Sequence, residues 1–195
     1  MGEAAPNPVR VFLAIELSDA VRDELTRAQR PLKALPVRVS WVRPENLHLT
    51  VLFLGEIVPS RVATVATILD DACAAHPPFS FEVTGLGTFG SPRRPRVIWA
   101  GVPDPPDALR GLQQALRTDL RVAGIDVEIR AFRPHLTLGR VRGPQGEPQL
   151  TSAVASANNT RFGEVSVQRV QVMQSQLDAS GARYAILRES GLKGS

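Results

Sequence analysis

Two stretches of the chain, NLHLTVLFLG at residues 46–55 and RPHLTLGRV at residues 133–141, contain the same tripeptide, His-Leu-Thr. The chain has three histidines in all, so two chance matches of this kind would be roughly a one-in-a-hundred event. The two copies lie a little under half the chain apart. This spacing predicts an internal duplication in which each half of the protein contributes one copy.

Each tripeptide lies in an apolar run of the kind that forms a β-strand. Residues i and i+2 of a strand point to the same face, so His48 and Thr50 share one face while Leu49 points to the core behind it. His135 and Thr137 repeat this arrangement. If a pseudo-two-fold axis relates the two halves, the two His-x-Thr faces converge across one cleft.

A cleft with two imidazoles and two hydroxyls suits chemistry at a phosphate group. One histidine can accept a proton while the other donates one near neutral pH, and threonine hydroxyls can donate hydrogen bonds to the oxygens on which charge builds up. A single strand histidine beside a threonine is usually structural, whereas the same pattern found twice favours catalysis. Neither segment contains a typical metal-ligand spacing, so we predict that no metal or other cofactor takes part.

Arg140 and three aromatic residues are weaker candidates for substrate contact. By strand parity Arg140 points to the core side of its strand, unless Gly139 introduces a bulge or the strand ends there. Parity alone therefore leaves a surface arginine and a phosphate-binding arginine as equal alternatives. Phe12, Trp41 and Phe53 could each stack on a base, but we interpret them as ordinary core aromatics.

The remaining sequence mixes helices and strands without a regular βαβ alternation, which predicts an α+β fold with antiparallel sheets. We predict strands at residues 10–17 and 162–176 and an edge strand at residues 127–129. A helix follows Ser18, with Asp19 near its start, and is expected to run toward Arg30. The Gly-, Ser-, Pro- and Arg-rich segment 85–95 is predicted to be a loop.

The composition allows one ordinary domain or two small lobes, because the chain has 195 residues, of which 43% are hydrophobic. No apolar run approaches the roughly 20 residues of a membrane span, and residues 1–9 lack the features of a secretory signal. The single cysteine, Cys73, excludes an internal disulfide. We therefore expect a cytoplasmic protein without membrane contact. Most of its positive charge is arginine, which suits phosphate but fits solvated surface arginines as well.

Four segments resemble a known family: RVFLAIEL at 10–17, WVRPENLHLTVLFLG at 41–55, PRVIWAG at 95–101 and RPHLTLGRV at 133–141. The paired motif resembles that of the two-histidine (2H) phosphoesterase superfamily. The flanking residues are similar to those of the RNA 2′,3′-cyclic phosphodiesterases, long named 2′-5′ RNA ligases. The resemblance covers essentially the whole chain from Arg10 to the last strand.

The resemblance implies a bilobal α+β domain over residues 1–195, with an ordered core of about 9–190, in which two pseudo-symmetric lobes with antiparallel sheets and outer helices face a central cleft. It implies metal-independent hydrolysis of a terminal 2′,3′-cyclic phosphate to a 2′-phosphate, with His48 as proton donor and His135 as proton acceptor. Thr50, Thr137 and Arg140 would bind the phosphate.

The expected partner is RNA that ends in a 2′,3′-cyclic phosphate, and the expected assembly is a monomer. Two alternatives remain open. The same acid–base pair could join RNA ends through a 2′-5′ linkage, because protonation roles invert in the reverse direction. A non-catalytic module that binds RNA ends is the other alternative, although binding alone requires no matched proton donor and acceptor.

Overall fold

Strands and helices follow one another in an irregular order in the computed structural model, which describes residues 7–91, 93–128, 130–143, 147–178 and 181–194. The strands within these ranges are β1 (Val9–Glu16), β2 (Val39–Trp41), β3 (His48–Ile57), β4 (Phe79–Ser91), β5 (Arg94–Gly101), β6 (His135–Val141), β7 (Arg161–Val167), β8 (Arg169–Asp178) and β9 (Gly181–Gly191). The α-helices are α1 (Asp19–Lys33), α2 (Val62–Ala75), α3 (Asp107–Val122) and α4 (Glu147–Ser156).

All strand pairings are antiparallel, and the strands follow the order β7-β4-β5-β6-β3-β1-β8-β9, with β2 paired to β6. At the centre, β3 and β6 meet through one pair of residues, Leu49 and Leu136. Within the described ranges the sheet thus consists of a five-stranded half, which includes β2, and a four-stranded half, with a narrow junction between them. The predicted α+β class with antiparallel pairing is confirmed, and the two lobes share one continuous sheet.

The element order repeats, because β1-α1-β3-α2 in one half corresponds to β5-α3-β6-α4 in the other. In each half the motif strand pairs with the first strand of its repeat, β3 with β1 and β6 with β5. The first helix of each repeat, however, packs on the opposite half. Helix α1 contacts β7, where Val21 closely approaches Gly163, and α3 contacts α2 and β3. Each half therefore covers part of the core of the other.

The core lies between the sheet and the helices. Leu13, Ile15, Leu49 and Leu136 point into it from the central strands and are at most 1% exposed. Helix α3 adds four leucines, which are spaced so that they form one apolar face: Leu109, Leu112, Leu116 and Leu120. Strand residues alternate between the two faces of a sheet. Because the core residues of the central strands point to the helices, the opposite face of these strands can form a site.

The predicted loop at residues 85–95 is wrong, since β4 continues to Ser91 and β5 begins at Arg94. The glycines of this segment lie in a hairpin that β4 and β5 form. A side chain at residue 87 would meet the ring of Trp99, because an ideal Cβ there lies 2.2 Å from the ring. Gly90 has a φ of 110° at a register shift, where only glycine is unstrained.

The other boundaries differ in smaller ways. Helix α1 continues past Arg30 to Lys33, with Pro31 in its last turn. The strand predicted at 162–176 is two strands, separated by Gln168, and these pair near opposite ends of the sheet order. One connecting residue can join such distant positions only because the sheet is strongly curled. Residues 127 and 128 form no strand, and Ile129 lies outside the described residues.

No helix in the described part of the chain is long and apolar enough to cross a membrane.

Candidate active site

Two adjoining cavities lie along the central strands β3 and β6. One has a volume of about 350 Å³, and its lining includes His48, Thr50, Thr137 and Arg140. The other has a volume of about 430 Å³ and is lined by residues that include His135 and Thr50. Thr50 borders both cavities. The structure therefore brings together all five residues that the sequence singled out.

The junction of the sheet explains this convergence. Leu49 and Leu136 pair directly and are both 0% exposed, so their neighbours in each strand point to the opposite face. Continuing this antiparallel register by one residue in each direction sets His48 across from Thr137, and Thr50 across from His135. Each histidine thus lies across the junction from the threonine of the other motif.

His48 is held by a carbonyl group on one side and by aromatic rings around it. Its Nδ1 lies 2.8 Å from the carbonyl oxygen of Asn46, and its Nε2 lies 3.0 Å from Thr50 Oγ1. A carbonyl can only accept, so Nδ1 carries the proton and Nε2 faces the cavity. Phe12 stacks on the imidazole at 4.9 Å between ring centroids, and Tyr184 contacts it edge-on at 5.3 Å.

His135 has the same backbone anchor but different surroundings. Its Nδ1 lies 2.7 Å from the carbonyl oxygen of Arg133, which again puts the Nδ1 proton on the carbonyl side. Phe89 contacts the ring edge-on at 4.7 Å between centroids. In the described part of the chain, Nε2 of His135 has no hydrogen-bond partner. Its lone pair is therefore available to a ligand.

Burial lowers the pKa of both histidines. For His48, desolvation is the main cause, the hydrogen bond to Asn46 opposes it, and charge on His135 lowers the pKa further. For His135, desolvation again dominates, the Arg133 carbonyl opposes it, and Arg140 lowers the pKa while Glu128 raises it. Both imidazoles are therefore favoured in the neutral form, and a charge on His135 further disfavours protonation of His48.

A bulge in β6 directs Arg140 into the cavity. Pairing between β5 and β6 shifts between Ile98 and Trp99, which leaves Leu138 as an extra residue. Such a bulge reverses the alternation of the strand, so Arg140 lies on the face of Thr137. Gly139 is required here, since an added Cβ would lie 2.6 Å from the side chain of Val39. The bulge alternative is confirmed, and simple parity is wrong for this residue.

Gln29 of helix α1 holds this bulge and was not among the residues predicted from the sequence. Its side chain is 0% exposed, and its amide nitrogen donates to the carbonyl oxygens of Val42 and Leu138, at 3.0 Å each. Lys33 donates to its amide oxygen at 2.9 Å. A buried glutamine in an otherwise apolar helix face was the only sequence signal for this role.

The three aromatics predicted to be core residues divide between core and site. Phe12 is 3% exposed, as predicted, and Trp41 is half-buried beneath Lys33. Phe53 is 40% exposed and borders both cavities, so the prediction is wrong for this ring. A register shift between β1 and β3 next to Phe53 causes the difference. Tyr184 and Gln113, which also border the cavities, gave no sequence signal.

Within the described ranges, no group of three or more His, Cys, Asp or Glu side chains could hold a metal ion. His76, the third histidine, lies away from the cavities and bonds through Nδ1 to the carbonyl of Ala72 at 2.8 Å. Metal independence stays a prediction for experiment.

Comparison with protein-family models matches residues 15–99 and 101–184 to the family described as LigT like phosphoesterase. The chain is 34% identical to the RNA 2′,3′-cyclic phosphodiesterase of Methanothermobacter thermautotrophicus, over 90% of this chain and 95% of that protein. It is 32% identical to the protein of the same name from Thermotoga maritima, over 95% of this chain and 97% of that one.

Solved structures show the same similarity. The structure of the protein TT0787 from Thermus thermophilus superposes with a TM-score of 0.79 at 28% identity, over 95% of this chain and 99% of that one. The structure of E. coli LigT complexed with 3′-AMP has a TM-score of 0.76 at 25% identity, over 95% and 98%. The family-model matches at residues 15–99 and 101–184 contain β3 and β6, the two strands that bear the His-x-Thr motifs.

Proposed function

The chain belongs to the LigT like phosphoesterase family, and from this premise we propose that it is an RNA 2′,3′-cyclic phosphodiesterase that hydrolyses a terminal 2′,3′-cyclic phosphate to a 2′-phosphate. The observation that carries the proposal is the pair of His-x-Thr motifs on one face of the two central strands. Relatives that align along nearly the whole chain bear the name of this activity.

In this reaction the oxygen of a water molecule attacks phosphorus, and the bond from phosphorus to O3′ breaks. We assign His135 as the base that takes the proton from water. Its Nδ1 is bonded to the Arg133 carbonyl, and no described residue donates a hydrogen bond to its Nε2. His48 is the acid that protonates O3′. The two histidines border adjoining cavities on either side of Thr50, which suits attack and departure on opposite sides of phosphorus.

The lowered pKa of His48 opposes its role as an acid in the free protein, because little of it is protonated at neutral pH. A bound phosphate carries negative charge, and negative charge near an imidazole raises its pKa. Substrate binding therefore supplies the protonated His48 that the reaction needs. His135 needs the opposite state, and the low pKa that burial gives it keeps it neutral in the free protein.

Three side chains are suited to hold the phosphate. Arg140 supplies a guanidinium group, which forms charge-assisted hydrogen bonds with phosphate oxygens. Thr50 and Thr137 supply hydroxyl groups that can donate to the non-bridging oxygens. All three border the cavity that contains His48. Phe53, with its exposed ring beside them, offers a face for stacking a base.

Synthesis of a 2′-5′ linkage is a second candidate function. A 5′-hydroxyl group would take the position of water, and the cavity beside His135 offers room for the nucleoside that carries it. Time courses with RNA ending in a cyclic phosphate, with and without 5′-hydroxyl RNA, distinguish joining from hydrolysis. We further propose that the chain acts in the cytoplasm, as a monomer, on RNA ends.

The decisive experiment incubates the protein with RNA that ends in a 2′,3′-cyclic phosphate, in excess EDTA, and identifies the terminal phosphate formed. We expect a 2′-phosphate at an undiminished rate. A 3′-phosphate would reverse the assignment of the leaving oxygen. Activity that disappears in EDTA and returns with a divalent ion would overturn the metal-independent mechanism.

A further inference from the structure

The cavity beside His135 contains more binding chemistry than hydrolysis of a phosphate requires. Its volume of about 430 Å³ falls within the range of roughly 300–1,000 Å³ that is typical of small-molecule sites. Three aromatic rings border it: Phe53, Phe89 and Phe132. Gln113 of helix α3 also borders it. Aromatic faces together with a few polar groups are typical of sites that bind flat, polar ligands.

Gln113 is an unusual residue at its position. It lies on the face of α3 that buries four leucines, and it is 6% exposed. Its amide makes no hydrogen bond within the described part of the chain. The buried Gln29 and Gln171, in contrast, both donate hydrogen bonds, to backbone carbonyls and to Glu189 respectively. Neither polar atom of the amide is among the fully buried side-chain atoms that lack a partner in the described residues, so the amide is accessible from the cavity that it borders and can bind a ligand there.

The position of the cavity indicates what the amide can bind. Thr50 borders both this cavity and the one that contains His48 and Arg140. A nucleotide whose phosphate lies at Thr50 can therefore extend its base into the cavity beside His135. Nucleobases have two flat faces for aromatic rings and an edge with donors and acceptors. A glutamine amide offers one donating and one accepting group to such an edge.

We propose that this cavity is a nucleobase-recognition site in which Gln113 reads the hydrogen-bonding edge of the base. The inference rests on the proposed function and extends it to base preference. Glu128, which also borders the cavity, adds a carboxylate that can accept from an exocyclic amino group. The ligand class is a nucleobase, and it has two possible sources: the nucleotide that carries the cyclic phosphate, or the nucleoside whose 5′-hydroxyl group replaces water.

The experiment compares the wild type with Gln113→Leu, which keeps the size of the side chain but removes both hydrogen-bonding groups. Gln114→Leu is the matched control, since Gln114 is the exposed neighbour on the same helix. The first arm measures kcat/KM for four dinucleotides that differ in the base next to the cyclic phosphate, and for a ribose 2′,3′-cyclic phosphate without a base. The second arm measures inhibition of this base-free substrate by the four 5′-hydroxyl nucleosides.

We expect the wild type to favour one base over the poorest by roughly three- to tenfold, which is the range of one or two neutral hydrogen bonds. Gln113→Leu should lose this preference and keep its rate on the base-free substrate, whereas Gln114→Leu should keep both. Loss of preference in the first arm identifies the terminal nucleotide as the source, and loss in the second identifies the 5′-hydroxyl nucleoside. A helix residue with a purely structural role would change all substrates equally.

An unchanged base preference in both arms of Gln113→Leu overturns the inference and leaves the hydrolase assignment intact. A wild-type protein that hydrolyses no cyclic phosphate overturns the proposed function instead. In that case calorimetric titration with the four nucleoside 2′-phosphates still tests Gln113, because binding requires no turnover. Equal affinities of the wild type and the variant for all four would then reject the site.

Discussion

The surroundings of His48 and His135 differ although the two motifs are the same. Both rings are anchored through Nδ1 to the carbonyl of the residue two positions earlier, at 2.8 and 2.7 Å. His48 is enclosed by Phe12 and Tyr184, and its Nε2 contacts Thr50. His135 contacts one aromatic ring, Phe89. The charges of Arg140 and Glu128, which lie outside the repeated tripeptide, also shift the pKa of His135.

This difference indicates which part of the site the duplication determines. The repeat determines the backbone anchor, the tautomer and the shared face, because these depend on the strand and its local carbonyl. The proton-transfer roles depend instead on side chains that the repeat does not contain. A histidine with a free Nε2 suits a base, whereas one that is enclosed until an anion binds suits an acid. The two identical motifs thus acquire distinct proton-transfer roles because different side chains surround each histidine.

The largest expected effect comes from removing either histidine. His48→Ala and His135→Ala should each lose roughly 10²–10⁴-fold in kcat, the usual range for one positioned proton-transfer group. The double variant should be little worse than the poorer single variant, because loss of either partner already prevents the coupled transfer. Single-turnover rates on RNA with a cyclic phosphate end provide the measurement.

RNA binding should largely survive in these variants, because Thr50, Thr137 and Arg140 remain. His76→Ala is the control, since this histidine lies outside the cavities and should leave the rate unchanged. A folded His48→Ala or His135→Ala protein with near wild-type activity would reduce the paired motif to a structural repeat.

The sequence predicts this part of the site well because it depends on local geometry. The alternation of side chains along a strand predicts that each histidine shares a face with the threonine of its own motif. This prediction needs no information about the rest of the fold. A repeated tripeptide predicts convergence of those faces through symmetry. The α+β class follows in the same way from the mixture of apolar alternation and helical periodicity. These features require contacts within one strand or one helix only.

Other parts of the site depend on contacts between distant segments. The Gly-, Ser-, Pro- and Arg-rich composition of residues 85–95 predicts a loop, but Gly87 lies beneath Trp99 of the next strand. Arg140 reaches the cavity because an extra residue in β6 pairs with nothing in β5. Tyr184 reaches His48 from the last strand. No local pattern contains this information, since each contact depends on the register of strands far apart in sequence.

Arg140→Ala tests the neighbour of His135 that we expect to bind the phosphate. Hydrogen bonds to a charged group contribute roughly 1.5–3 kcal/mol, so kcat/KM should fall by about one to two orders of magnitude. Arg140→Lys should recover part of the loss, because it retains the charge but not the planar fork. Arg121→Ala, on the exposed side of α3, is the matched control. Wild-type kinetics for Arg140→Ala would remove this residue from the site.

Gln29→Leu should have a smaller effect that passes through the same arginine. Loss of the amide removes the hydrogen bond to the half-buried Val42 carbonyl and the buried hydrogen bond to the Leu138 carbonyl, which loosens the bulge at Leu138. We expect a several-fold fall in kcat/KM and a loss of about 1–3 kcal/mol in the free energy of unfolding. The informative measurement is a double-mutant cycle with Arg140→Ala. If Gln29→Leu lowers activity equally with and without Arg140, it acts on the fold alone.

The smallest expected effect is on the pH optimum of kcat/KM, which depends on the pKa values of the two histidines. The kcat/KM profile reports the pKa values of the free protein, and burial lowers the pKa of both histidines. A profile governed by one acid and one base has its optimum at the mean of their two pKa values. The optimum should therefore lie below about pH 6.5, the ordinary pKa of histidine. The kcat profile should lie at higher pH, because the bound phosphate raises both values.

Phe12→Leu should shift this optimum, because removal of the ring that stacks on His48 admits water to the imidazole. Better solvation favours the charged form of His48 and raises its pKa, so the kcat/KM optimum should move to higher pH by less than about one unit. Phe79→Leu replaces a half-buried ring outside the cavities and should leave the optimum in place. An optimum that moves to lower pH in Phe12→Leu would contradict desolvation as the cause of the low His48 pKa. An equal shift in Phe79→Leu would attribute the change to a general loss of packing, and the enclosure of His48 would then not set its protonation state.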